Sequence, residues 1–166
     1  MLKPMVDTIH VTGPSERVKR IMEAARVAQM VDDLPELVFT DALHPVAQQA
    51  CLEAFYVHVR ALIEFLGVVK ARDTDFSGVD LAPTWTSPSK DSPTGARLSS
   101  YWQLATKQLM HFSDERVQAP AVAVSPEVLT KVADDVLGVW DDFAAELRHP
   151  MAPMRSGFDS MTSREA

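Results

Sequence analysis

The chain has 166 residues, 46% of them apolar, which is enough for one globular domain with a core of its own. Acidic residues outnumber basic ones 23 to 16, for a formal net charge of −7, and this argues against generic nucleic-acid binding, which needs a basic footprint to neutralise phosphates. The single cysteine, Cys51, excludes an internal disulfide and fits a reducing compartment. No apolar run has the length of a membrane span and the first residues lack an apolar leader, so a cytoplasmic location is expected. One basic stretch stands out, with Lys3, Arg17, Lys19, Arg20 and Arg26 against Asp7, Glu16 and Glu23.

Residues 1–13 read as irregular, with at most a short extended piece from Thr8 to Thr12 before Gly13-Pro14. A first helix is predicted after Ser15, with Val18, Ile21, Met22, Ala25 and Ala28 on its apolar face. It is expected to stop near Asp33, because Pro35 disfavours helical geometry in the residue before it. A second helix opens at Pro45, a residue suited to a first helical position. Cys51, Phe55, His58, Leu62 and Phe65 form a stripe along it, widened by Leu52, Val59, Ile63 and Leu66, and Gly67 is a natural stop. That breadth of apolar surface predicts a central helix.

Residues 67–96 read as one long loop, with Pro83, Pro88, Pro93, Gly78 and Gly95, in which Phe76 and Trp85 are candidates to pack down. A third helix is predicted from Arg97 to Phe112, burying Leu98, Trp102, Ala105, Leu109 and Phe112. The fourth begins at Ser125-Pro126-Glu127, a serine cap followed by proline and an acid. It continues with Leu129, Val132, Val136, Val139, Trp140, Phe143 and Leu147 facing inward. Residues 149–166 lack periodicity and read as a disordered tail. The prediction is therefore one all-α domain over residues 1–148, a four-helix bundle with a long loop between helices two and three.

Two groups of polar residues are candidates for chemistry. Lys107 and His111 lie one turn apart at the end of helix three, and Arg116 follows in the turn. A histidine between two cations suits an anionic group such as phosphate, the cations holding it while the histidine moves a proton. The plainer reading of the same residues is a helix C-terminus carrying cations. His58 lies within the apolar stripe of helix two, either as a core histidine with satisfied hydrogen bonds or as a partner of His111 across the bundle. Arg60 points away from it and sits one turn before Glu64, the arrangement of a surface ion pair.

No cofactor or metal site is predicted. Asp73, Asp75 and Gly78 match the opening of a calcium loop, but Asp80 and Thr84 break the pattern, and a turn-rich loop is the better reading. Asp134, Asp135, Asp141 and Asp142 read as a solvated helix face. The sequence has no glycine-rich phosphate loop, nucleophile elbow, His-Glu-x-x-His or Cys-x-x-Cys motif.

The stretches Phe55-Tyr56-Val57-His58-Val59-Arg60-Ala61-Leu62-Ile63-Glu64-Phe65-Leu66 and Lys107-Gln108-Leu109-Met110-His111-Phe112-Ser113-Asp114-Glu115-Arg116 resemble those of uncharacterised bacterial helical proteins related to the HEPN superfamily. The resemblance implies a helical bundle, often dimeric, with metal-independent ribonuclease or nucleotide-directed activity of a toxin or defence type. It assigns proton transfer to His111 and phosphate holding to Lys107 and Arg116; His58, Arg60 and Glu64 are the candidate binding residues beside them. The family signature is an Arg and a following His with four to six residues between them. Here Lys107 stands in the Arg position, one residue too close, and Arg116 comes after His111. The alternative expectation is a non-catalytic helical interaction or structural protein, with a homodimer among its forms.

Overall fold

The computed structural model describes residues 15–70, 72, 75–109 and 124–147. These residues are all-helical, with four long helices and one single-turn helix: α1 Glu16–Val38, α2 Pro45–Phe65, α3 Gly78–Leu81, α4 Pro93–Leu109 and α5 Pro126–Leu147. The expected extended piece at Thr8–Thr12, the tail after Arg148, and Phe112 lie outside them.

α1 starts where a serine can cap it, the Ser15 hydroxyl accepting from the Val18 amide at 3.4 Å. It then runs past the expected stop, with Pro35 inside the helix. Proline within a helix removes one backbone bond and costs on the order of 3 kcal/mol. Here Leu34, Pro35 and Val38 are all buried, and the burial of that extra turn offsets the loss. Met22, expected to face inward, is exposed instead, while Ala24 and Val31 are buried.

The short connection 39–44 returns the chain into α2, which opens with Pro45 capped by the His44 side chain. α2 contacts α1, α4 and α5. Its residues Phe55, Val59, Leu62, Ile63 and Leu66 are wholly inaccessible to solvent, as the breadth of its apolar face predicts. The backbone turns at Gly67, whose φ of 80° favours glycine.

The segment after α2 is shorter and more ordered than a thirty-residue loop. Asp80 accepts from both the amide and the hydroxyl of Ser77, at 2.6 and 3.0 Å, and so starts α3. α4 begins at Pro93, four residues earlier than expected, because the Ser92 hydroxyl accepts from the Gly95 amide at 3.0 Å. Trp85 donates from its indole N–H to the Leu66 carbonyl at 3.0 Å. Its ring meets Phe143 edge-on at 5.5 Å, and Phe76 meets Phe65 in the same way at 5.8 Å. Phe65 in turn stands 5.1 Å from Phe143. An aromatic cluster thus fastens the connecting segment to α2 and α5, as Phe76 and Trp85 suggested.

α5 bears out its predicted start, with the Ser125 hydroxyl accepting from the Val128 amide at 3.4 Å. Its predicted inner stripe from Leu129 to Leu147 is buried. Among the described residues no polar or charged residue lies in the core.

Two glycines separate packing from propensity. A Cβ at Gly95 would collide with the Ser89 carbonyl, whereas one at Gly138 meets nothing within 4 Å. Gly95→Ala should lower stability by about 2 kcal/mol or more. Gly138→Ala, inside α5, should raise it by about 0.5–1 kcal/mol. Urea unfolding midpoints of the two variants give both values.

Candidate functional site

Of the residues singled out from sequence, the structure brings Arg60 and Glu64 together. One helical turn apart on α2, they form an ion pair of 3.0 Å between Arg60 Nε and Glu64 Oε1. The pair is not in open solvent, since both side chains are only about one-fifth exposed. α4 supplies the cover. Trp102 donates its indole N–H to the same Glu64 oxygen at 2.7 Å, and the Arg60 guanidinium lies 5.3 Å from the centre of the Trp102 ring. Each member therefore holds the other two, through a charge-assisted pair, a hydrogen bond to an ionised oxygen and a cation–π contact.

Beside this trio is a small hollow of about 190 Å³ lined by Tyr56, Val57, Arg60, Ala61, Glu64 and Ala105. Val57 reaches its edge with 46% of its surface exposed. A second hollow of about 320 Å³ lies between α1 and α2, with Ala24, Val27, Leu62 and Phe65 among its apolar lining and Glu23, Glu64 and Asp75 among its residues. Glu64 borders both.

His58 stands apart from the trio. It is half-buried on the side of α2 that faces the Glu23–Arg26 pair of α1, whose closest approach is 2.6 Å. Burial holds its pKa below 6.5, Arg26 pushes it further down, and Glu23 opposes both. Lys107 is in the last turn of α4, where only the backbone is described. His111 and Arg116 lie outside the described residues, as do Asp73 and Thr74 of the calcium-like loop. Asp80 of that loop is engaged as the cap of α3.

One carboxylate assigned to a solvated face is elsewhere. Asp134, Asp141 and Asp142 are exposed, but Asp135 is half-buried. Its Oδ2 accepts from the Tyr101 hydroxyl at 2.8 Å and from Lys131 at 3.2 Å, with Arg97 at 3.5 Å. Burial works to raise the Asp135 pKa, but Tyr101, Lys131 and Arg97 outweigh it and leave it below the usual value. The Tyr101 phenol is pushed up to about 12, by burial first and by Asp135 second. The signal was present in the sequence: Asp135 sits three residues after Val132 and four before Val139, on the border of the buried stripe. Among the described residues no group of three or more His, Cys, Asp or Glu is placed to hold a metal ion. None of the described helices is long and apolar enough to cross a membrane.

Comparison with protein-family models, with curated proteins and with solved structures finds no match for this chain.

Two titrations test this geometry. A histidine with a depressed folded pKa adds stability above pH 6.5 that is lost as pH falls from there through the folded value. The His58 imidazole should therefore titrate below 6.5 by NMR, and His58→Gln should flatten the stability profile in that window. A midpoint above 6.5 would contradict the placement. For Tyr101 the raised pKa adds stability below pH 10 that is lost as pH rises towards 12. Ultraviolet titration of the folded protein should show no tyrosine ionising with a midpoint near 10, since burial raises Tyr56 as well.

Proposed function

We propose that this chain is a non-catalytic helical interaction domain that pairs with a second copy of itself through the face formed by α2 and α4. The observation that carries the reading is the joint presence, in one patch, of a projecting apolar side chain and an apolar hollow. Val57 stands exposed at the edge of the hollow lined by Tyr56, Ala61 and Ala105. A two-fold contact presents the same patch from both copies, so knob and hole must be present together. Arg60 and Trp102 frame the patch and are held rigid by Glu64. Tyrosine, tryptophan and arginine are the residues that dominate binding energy at protein interfaces. Charged groups at the seams of α2, α4 and α5 are also committed to one another: Glu64 with Arg60 and Trp102, Asp135 with Tyr101, Lys131 and Arg97. Such pairing suits cohesion better than reactivity.

The competing reading is the HEPN-like one, a metal-independent ribonuclease or nucleotide-directed activity. It rests on the order of Lys107, His111 and Arg116 in the sequence. In it His111 moves the proton while the two cations hold the scissile phosphate and the RNA 2′-hydroxyl attacks.

Sedimentation velocity of the full chain tests the first reading. It should show a concentration-dependent dimer, weakened about tenfold or more by Val57→Asp, which is the loss of roughly 1.4 kcal/mol or more of binding energy. The thermal midpoint should barely change, because Val57 is exposed in the free chain. A chain that remains monomeric at every concentration would overturn the dimer. RNA cleavage that survives EDTA and disappears in His111→Ala would instead establish the HEPN-like reading.

A further inference from the structure

Two hollows meet at the end of the bundle where α1 finishes and α5 starts. One, of about 490 Å³, has Pro35, Glu36 and Phe39 on its α1 side and Pro126 and Thr130 on its α5 side. The other, of about 530 Å³, continues from Pro126 and Thr130 along α5 to Glu127, Lys131 and Asp134. Sharing two residues, they make one continuous groove. Its apolar part is Pro35, Pro126 and the ring of Phe39, and both Phe39 and Pro126 are exposed.

The groove is negatively charged, and the charge is not cancelled by its own lining. Asp32, Glu36, Glu127 and Asp134 face a single cation, Lys131, whose ammonium is committed at 3.2 Å to Asp135, outside the lining. Asp32 has an interaction of its own. Glu36, Glu127 and Asp134 are exposed and make no ion pair among the described residues. Glu36 is also set against its own helix. It stands in the last turn of α1, where the carbonyl ends carry partial negative charge, and no basic residue of that turn offsets it. A solvated face accounts for acids along one helix. It does not account for acids contributed by two helices to either side of an exposed aromatic ring.

We infer that this groove takes a basic amphipathic helix of another protein, its apolar side lying on Phe39 and Pro126 and its lysines or arginines meeting Glu36, Glu127 and Asp134. A helix bound in a groove presents apolar anchors on one side with charges beside them, and complementary charge selects the partner and speeds its approach. Nucleic acids and anionic lipid surfaces carry the same sign as the groove and are repelled. The chain's own basic stretch is not the occupant, because Arg17 donates to the Leu81 carbonyl while Arg20 and Arg26 pair with Glu16 and Glu23. The groove shares no residue with the α2–α4 patch, so this inference stands or falls independently of the dimer.

The test is an NMR titration of the ¹⁵N-labelled full chain with a short amphipathic leucine–lysine helix, a peptide of the same composition in scrambled order, and spermine. The amphipathic helix should shift the amide signals of Glu36, Phe39, Thr130 and Asp134, bind more tightly than the other two probes, and weaken with added salt. The Glu36→Lys/Asp134→Lys variant should keep the remaining spectrum and lose about tenfold or more in affinity. The same charge change at Glu53 and Asp142, exposed and outside the groove, should leave the affinity nearly unchanged. Equal losses in the two double variants, shifts scattered over other surfaces, or no shift at all would overturn the site. Spermine or the scrambled peptide binding as tightly as the amphipathic helix would overturn the role of Phe39 and Pro126. Shifts at these residues that grow with protein concentration alone would make a second copy the occupant and overturn the assigned partner.

Discussion

α2 has to be covered on three sides, and the rest of the molecule is arranged to do it. Phe55, Val59, Leu62, Ile63 and Leu66 are wholly inaccessible, and they share one apolar face of the helix. Burying a side chain of this size contributes about 1.5–3 kcal/mol relative to exposure, so these five residues are a major source of cohesion. The cover comes from α1, α4 and α5 together. Once α2 is enclosed, its remaining polar positions fall at the seams between helices. Arg60 and Glu64 lie at the seam with α4, and His58 lies by the seam with α1. The clamp of Arg60, Glu64 and Trp102 is a consequence of enclosure: a carboxylate pressed against a neighbouring helix must find donors, and it finds a guanidinium and an indole.

The same constraint explains the connecting segment. Phe65 at the end of α2 needs cover that the long helices do not complete. Phe76 and Trp85 fold down beside it and Phe143, the indole N–H meeting the Leu66 carbonyl at the helix end. The one-turn helix α3 is set between these two aromatics by the Ser77–Asp80 cap. The segment is thereby fixed at both edges, and a hollow lined in part by Arg72 and Lys90 is formed where it crosses the end of α2.

Much of the fold was legible because apolar periodicity is a local signal. The α2 stripe, the α5 stripe and the Ser125-Pro126 start all follow from it. Two boundaries were not. Ser92-Pro93 repeats the pattern of Ser125-Pro126 and starts α4 in the same way, but the surrounding prolines and serines resemble a loop. Pro35 suggested a break, and only the burial of Leu34 and Val38 in the assembled bundle outweighs its local preference. For the site, the Arg60–Glu64 pair could be read from its spacing. The Trp102 and Tyr101 contacts could not, because they depend on which faces of α2, α4 and α5 meet.

The claim on which the account turns is that Glu64 clamps α4 to α2. A double-mutant cycle on unfolding free energy, using Glu64→Gln, Trp102→Phe and the two combined, measures it directly. The account predicts a coupling of about 1–2 kcal/mol, within the range for residues that share a hydrogen bond to an ionised group. Single losses that simply add, with coupling below about 0.3 kcal/mol, would mean that the two side chains are neighbours without being partners.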